Sequence, residues 1–151
     1  MNDAQRTILF STLLLVAMSV PSQLLHELGH ASACSSSGLY YDLRINFFMS
    51  SIVCSGIPDD LLWYYASGGI VAGIAFLSLG FMPFVVVKIA SWSLAVANAL
   101  AGVLEGFFRD AYFSLEGYVA VQIFAAMIFI FLLYGLGLQR LRQTTSRTAA
   151  T

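Results

Sequence analysis

The sequence predicts an all-α protein that crosses a membrane about four times and carries a small β-hairpin between the first and second spans. Three observations support this fold class. Of 151 residues, 59% are hydrophobic and 10% are charged, against about 25% charged in soluble domains. Long uncharged segments alternate with short polar ones. With 7 basic and 8 acidic side chains, the composition excludes a soluble enzyme, a disordered chain and a nucleic-acid-binding protein.

Four apolar segments are long enough to form spans, since a helix needs about 20 apolar residues to cross the hydrocarbon core. The long segment 61–108 exceeds one span, and Gly80-Phe81-Met82-Pro83 predicts a turn within it, because proline has no amide proton for a helix. Lys88 lies close enough to the resulting helix end to reach the membrane surface. The predicted spans are 7–34, 61–80, 84–108 and 117–138.

Between the first two spans the polarity alternates from one residue to the next. Apolar side chains at Tyr41, Leu43, Ile45 and Phe47 are separated by polar ones, which predicts a strand over 41–47. Residues 49–54 are expected to return as a second strand. Residues 1–138 are therefore predicted to form one membrane-embedded domain, followed by a loose polar tail over 139–151.

The sequence His26-Glu27-Leu28-Gly29-His30 near the end of the first span is an H-E-x-x-H motif, and it contains both histidines of the chain. Residues four apart lie on one face of a helix, so both imidazoles can bind one metal ion, and Glu27 can act as a general base. Ionisable side chains inside a membrane are costly and usually functional. The motif predicts a zinc hydrolase; the alternative is a polar end to the span without catalysis.

A hydrolytic zinc site needs a third protein ligand. The third span returns to the side of the membrane where the motif lies, and Glu105 is its only carboxylate, at matching depth. Asp110 and Glu116 follow in a turn on the same side and remain alternatives. Cys34, one helical turn after His30, is a further candidate if the first helix extends that far.

These features together resemble the site-2 protease family of intramembrane zinc metalloproteases. The resemblance covers about 7–108: the motif, the hairpin, the glycine-rich second span with Gly69-x-x-x-Gly73, and the third span. Leu104-Glu105-Gly106 is similar to the family's Leu-Asp-Gly, with glutamate for aspartate, and Asn98 precedes it as an asparagine does there. Leu115-Glu116-Gly117 repeats the tripeptide, which leaves the third ligand open.

The resemblance implies an enzyme that hydrolyses peptide bonds of a transmembrane protein or peptide within the lipid bilayer. Zn²⁺ would be held by His26, His30 and Glu105, with Glu27 as the base. Asn98 would donate a hydrogen bond to the substrate or to the oxyanion, the alternative being a hydrogen bond between helices. The hairpin strand would serve as a lid or capture the unwound substrate at its edge.

Other functions stay open beside this one. Heat-shock and prenyl-protein endopeptidases share the motif, but there an aspartate follows the third glutamate by four residues, whereas Asp110 follows Glu105 by five. The chain also has no room for their soluble domain. A non-catalytic subunit, either a pseudoprotease or a zinc-binding scaffold of a larger complex, would be favoured by an ion pair between Glu27 and Arg109. A homo-oligomer or an accessory membrane protein is compatible with this sequence.

We expect a multi-pass protein of the cell membrane. The sequence does not decide which side of the membrane the metal site faces. Four spans place Arg6 and the three arginines of 139–151 on one side and Arg44 and Arg109 on the other. Positive-inside counting then puts the site near the outer face. Four-span members of the resembling family usually face the cytoplasm. Cys34 and Cys54 could pair only on an oxidising side.

Overall fold

A computed structural model describes the backbone of residues 3–45 and 50–148, and the side chains of 3–44, 50–110, 112–114, 116–117 and 119–136. In chain order the elements are α1 (Asp3–Ser36), β1 (Tyr41–Ile45), β2 (Ser50–Cys54), α2 (Leu61–Leu79), α3 (Val85–Phe107), α4 (Arg109–Tyr112) and α5 (Leu115–Thr148). Four of the helices are long and apolar enough to cross a membrane. The predicted fold class is therefore confirmed.

Helices α1 and α5 extend beyond their predicted spans at both ends, whereas the ends of α2 and α3 agree with the prediction to within one residue. Helix α1 continues to Ser36, and α5 continues to Thr148, so the described part of the tail expected to be loose is helical. An α-helix satisfies its own backbone hydrogen bonds, so the polar residues that follow the apolar span can continue the same helix. The turn at 80–83 separates α2 from α3 as predicted.

Local capping explains where two of the helices begin. The carboxylate of Asp60 accepts a hydrogen bond from the backbone amide of Trp63 (2.9 Å) and caps α2. The hydroxyl of Ser114 accepts one from the amide of Gly117 (3.0 Å) and caps α5. Both bonds satisfy amide groups that have no partner inside the helix. Ser114 therefore marks the start of the last helix.

Helices α1, α2 and α3 pack through small residues. A Cβ atom on Gly69 of α2 would collide with the backbone of Gly102 on α3, and one on Gly29 of α1 would collide with the carbonyl of Ser67 on α2. Such backbone-to-backbone contact is how membrane helices gain packing energy in lipid. In contrast, Val121 is the only buried side chain among those described in α5. The first three helices thus form the packed unit.

The hairpin pairs β1 with β2 in antiparallel register, from Tyr41 opposite Cys54 to Ile45 opposite Ser50. This confirms the predicted strands over their described parts; residues 46, 47 and 49 lie outside the described residues. A disulfide bond joins Cys34 on α1 to Cys54 at the end of β2, with their Cα atoms 5.8 Å apart. Cys34 is therefore not a free thiolate, which removes it as a candidate metal ligand.

Candidate metal site

The two histidines of the motif face the glutamate that was predicted from depth along the third span. His26 and His30 lie one turn apart on α1, with ring centroids 4.9 Å apart. Both turn Nε2 toward the same carboxylate oxygen of Glu105 on α3, at 3.1 Å from His26 and 3.7 Å from His30. All three side chains are largely buried. The helix packing thus brings together residues that are 79 positions apart in the chain.

The distances fit the requirements of a tetrahedral metal ion. One ligand atom from each of the three residues lies within 4.8 Å of the others. Ligands about 2.0–2.2 Å from zinc in a tetrahedron are separated by about 3.3 Å, and the two contacts to Glu105 bracket this value. Asp110 and Glu116, the alternatives for the third ligand, are not part of the cluster found among the described side chains.

The hydrogen bond made by the other ring nitrogen of His30 identifies the atom available to a metal. Nδ1 of His30 lies 2.6 Å from the carbonyl oxygen of Tyr64 on α2. A carbonyl only accepts, so Nδ1 must donate, and in the neutral ring Nε2 then carries a lone pair. That lone pair faces the Glu105 carboxylate, so the two acceptor atoms can share one cation, either a metal ion or a proton.

The amide group of Asn98, which was predicted to donate a hydrogen bond to the substrate, donates to other parts of the protein in this structure. It is buried on α3, and its amide nitrogen donates to the hydroxyl of Ser22 on α1 (2.8 Å) and to the carbonyl of Leu94 (2.8 Å). Both amide protons are thereby used within the protein. The Asn98 side chain also interacts with His26. The arrangement is the interhelical hydrogen bond considered as the alternative.

We expect Asn98→Ala to weaken metal binding by about 10–100-fold, as is typical when the partner of a metal-ligating histidine is removed. The reason is that the His26 ring loses a polar neighbour that contributes to its orientation. A competition titration with a fluorescent zinc chelator measures the change. Ser22→Ala is the matched control, because it removes only the partner of the Asn98 amide. Equal zinc affinities in Asn98→Ala and wild type would contradict this role.

Glu27 is only 9% exposed and lies next to the hairpin. The hydroxyl of Ser50 in β2 donates to one of its carboxylate oxygens (3.3 Å). The ion pairs among the described side chains do not include one between Glu27 and Arg109. The Arg109 guanidinium instead lies 4.3 Å above the Tyr65 ring. The ion pair that would favour a scaffold is thus not formed.

Sequence analysis missed Gly68 as a part of this site. A Cβ atom at Gly68 on α2 would come within 2.5 Å of Nε2 of His30 and 2.7 Å of Nε2 of His26. Because Gly68 has no side chain, there is room for both ligand nitrogens between α1 and α2. The signal in the sequence is the run Ser67-Gly68-Gly69, but such small residues are equally typical of close helix packing.

Three comparisons with known proteins were made for this chain. A scan of protein-family models, a search of curated proteins and a search of solved structures each found no match. The structure itself shows four helices long and apolar enough to cross a membrane. It also shows a group of two histidines and one glutamate that could hold a metal ion.

Proposed function

We propose that this protein is an intramembrane zinc metalloendopeptidase, a hydrolase that cleaves peptide bonds of membrane-embedded substrates. The observation that carries the proposal is the convergence of His26, His30 and Glu105, with the His30 ring oriented by the Tyr64 carbonyl so that its lone pair faces the carboxylate. Buried ionisable groups within membrane helices are seldom retained without a function. The H-E-x-x-H spacing adds a glutamate in the position of a general base.

The donor set suits catalytic zinc. Two imidazole nitrogens and one carboxylate oxygen supply three protein ligands, which leaves one coordination position for water or substrate. Bound zinc supplies Lewis acidity, which acidifies water and polarises a peptide carbonyl. The Tyr64 carbonyl fixes the orientation of the His30 ring, and the Asn98 side chain interacts with His26. The protein thus holds both imidazoles in place before any substrate arrives.

Glu27 follows His26 directly in α1 and is the proton carrier in this proposal. Its carboxylate accepts the proton of the attacking water and then gives that proton to the nitrogen of the leaving amine. The Ser50 hydroxyl donates to one carboxylate oxygen, and the other oxygen carries the proton in this proposal. The lack of an ion pair with Arg109 keeps the carboxylate available.

The hairpin supplies the binding surface for substrate in this proposal. In a two-stranded sheet each strand has one edge without a partner, and an unwound peptide segment can pair with it through backbone hydrogen bonds. The contact between Ser50 and Glu27 ties β2 to the catalytic group. A transmembrane segment bound at the sheet edge would thereby lie close to the metal site.

Zinc content per chain tests the metal site. Protein purified in detergent without chelators is expected to hold about one zinc ion, because the site provides three ligands to one metal. His26→Ala and Glu105→Ala should lose it, whereas Glu27→Gln should keep it. Glu116→Ala is the matched control, a glutamate in the same Leu-Glu-Gly context outside the cluster.

Two outcomes would contradict the proposal. Wild-type protein without zinc would exclude a zinc enzyme, and Glu105→Ala with unchanged zinc content would exclude this ligand set. A non-catalytic subunit that holds zinc gives the same zinc contents as the enzyme. Only a cleavage assay separates these two functions.

A further inference from the structure

We infer that the metal site opens on the extracytoplasmic, oxidising side of the membrane. Two independent features of the molecule lead to this orientation: the distribution of basic side chains between the two ends of the helices, and the position of the disulfide bond. This orientation also has a consequence for the substrate, and that consequence rests on the proposed function. The scissile bond lies at the extracytoplasmic end of a transmembrane segment.

The helices divide the chain between a site end and an opposite end. Helix α1 ends, α2 begins, α3 ends and α5 begins at the site end, whereas the turn between α2 and α3 lies at the opposite end. Basic residues near the site end are Arg44 and Arg109. Those near the opposite end are Arg6, Lys88, Arg140, Arg142 and Arg147. Basic residues accumulate on the cytoplasmic side of membrane proteins, so the site end faces away from the cytoplasm.

The disulfide bond indicates the same orientation without reference to charge. Cys34 lies one turn beyond His30, two residues before the end of α1, and its partner Cys54 ends the hairpin. The chain has no free cysteine, because its two cysteines form this bond. Disulfides persist in oxidising compartments and are rare in the reducing cytoplasm. Both sulfur atoms belong to the site end, so this end is the oxidising side.

The bond also fixes the part of the hairpin that reaches the site. Cys54 is four residues after Ser50 in β2, and Ser50 contacts Glu27. With Cys54 tied to α1, the strand is held beside the helix that carries Glu27. The oxidising environment thus stabilises the arrangement of the site itself.

Single cysteines at the two ends provide the test, in a Cys34→Ser/Cys54→Ser background. Tyr40→Cys places a thiol at the site end, where Tyr40 is 85% exposed, and Phe81→Cys places the matched one in the α2–α3 turn, where Phe81 is 74% exposed. In bacterial spheroplasts, a membrane-impermeant sulfonated maleimide should label Tyr40→Cys directly. Phe81→Cys should be labelled only after permeabilisation. The reverse pattern would overturn the orientation.

Wild-type protein provides a second measurement that needs no substitution. Thiols are blocked with N-ethylmaleimide during lysis, and the protein is then denatured, reduced and treated with a maleimide-polyethylene glycol. Two added polymers per chain after reduction, and none without it, are expected. Two thiols already blocked before reduction would overturn the inference. Neither measurement depends on zinc or on cleavage, so a chain with the expected labelling but no zinc would refute the proposed function alone.

Discussion

Glu27→Gln is expected to reduce peptide cleavage by about 10²–10⁴-fold, the usual contribution of a general acid–base group. Glutamine has nearly the shape of glutamate and keeps an oxygen for the Ser50 hydroxyl, but it cannot take a proton from water. Zinc content should remain that of wild type, since Glu27 lies outside the ligand cluster. The measurement is the cleavage rate of fluorescent transmembrane peptides in liposomes, with zinc determined on the same samples.

Glu116→Gln is the control for that experiment, because it makes the same chemical change at an exposed glutamate. It should cleave at the wild-type rate. A Glu27→Gln protein that cleaves as fast as wild type would exclude Glu27 as the base. Wild-type protein that holds zinc and cleaves no peptide would instead support a non-catalytic zinc-binding subunit.

Gly68→Ala should remove most of the bound zinc. The new methyl group would stand 2.5 Å from Nε2 of His30 and 2.7 Å from Nε2 of His26, so both ligand atoms would have to turn away. The backbone of α2 cannot retreat, since Gly69 is already in contact with the backbone of α3. Zinc content and a chelator-competition titration measure the effect.

Gly73→Ala is the matched control for this substitution, one to two turns further along the same helix. A Cβ atom at Gly73 would meet its nearest neighbour at 3.3 Å, a distance that a small shift accommodates. We expect this variant to keep its zinc and its helical circular dichroism. Unchanged zinc affinity in Gly68→Ala would mean that the imidazoles do not point toward α2, and would contradict the geometry of the site.

Sequence patterns that depend only on the neighbouring residues predicted the fold well. The lengths of apolar segments located all four spanning helices, and alternating polarity located the hairpin. The i, i+4 spacing predicted that His26 and His30 share a face, and depth along the third span selected Glu105. These predictions succeed because they require only the rise and the period of a helix.

Features that depend on how the helices are rotated about their axes could not be predicted. In lipid the outer face of a helix is as apolar as its packed face, so hydrophobicity does not reveal which side meets a neighbour. The carbonyl of Tyr64, the space at Gly68 and the bond between Asn98 and Ser22 all depend on that rotation. The pairing of Cys34 with Cys54 depends on where the hairpin folds back on α1.

The position of the ligands along their helices sets how deep the metal site lies. Glu105 is two residues from the end of α3 at Phe107, and His30 is six residues from the end of α1 at Ser36. At about 1.5 Å per residue, these ligands lie about 3 and 9 Å below the helix ends. The ligands therefore lie near one end of the helix bundle, although their side chains are largely buried. In the proposed function, a substrate bond at this depth would belong to an end turn of its own helix, where backbone amides or carbonyls already lack helical partners and unwinding requires the least energy.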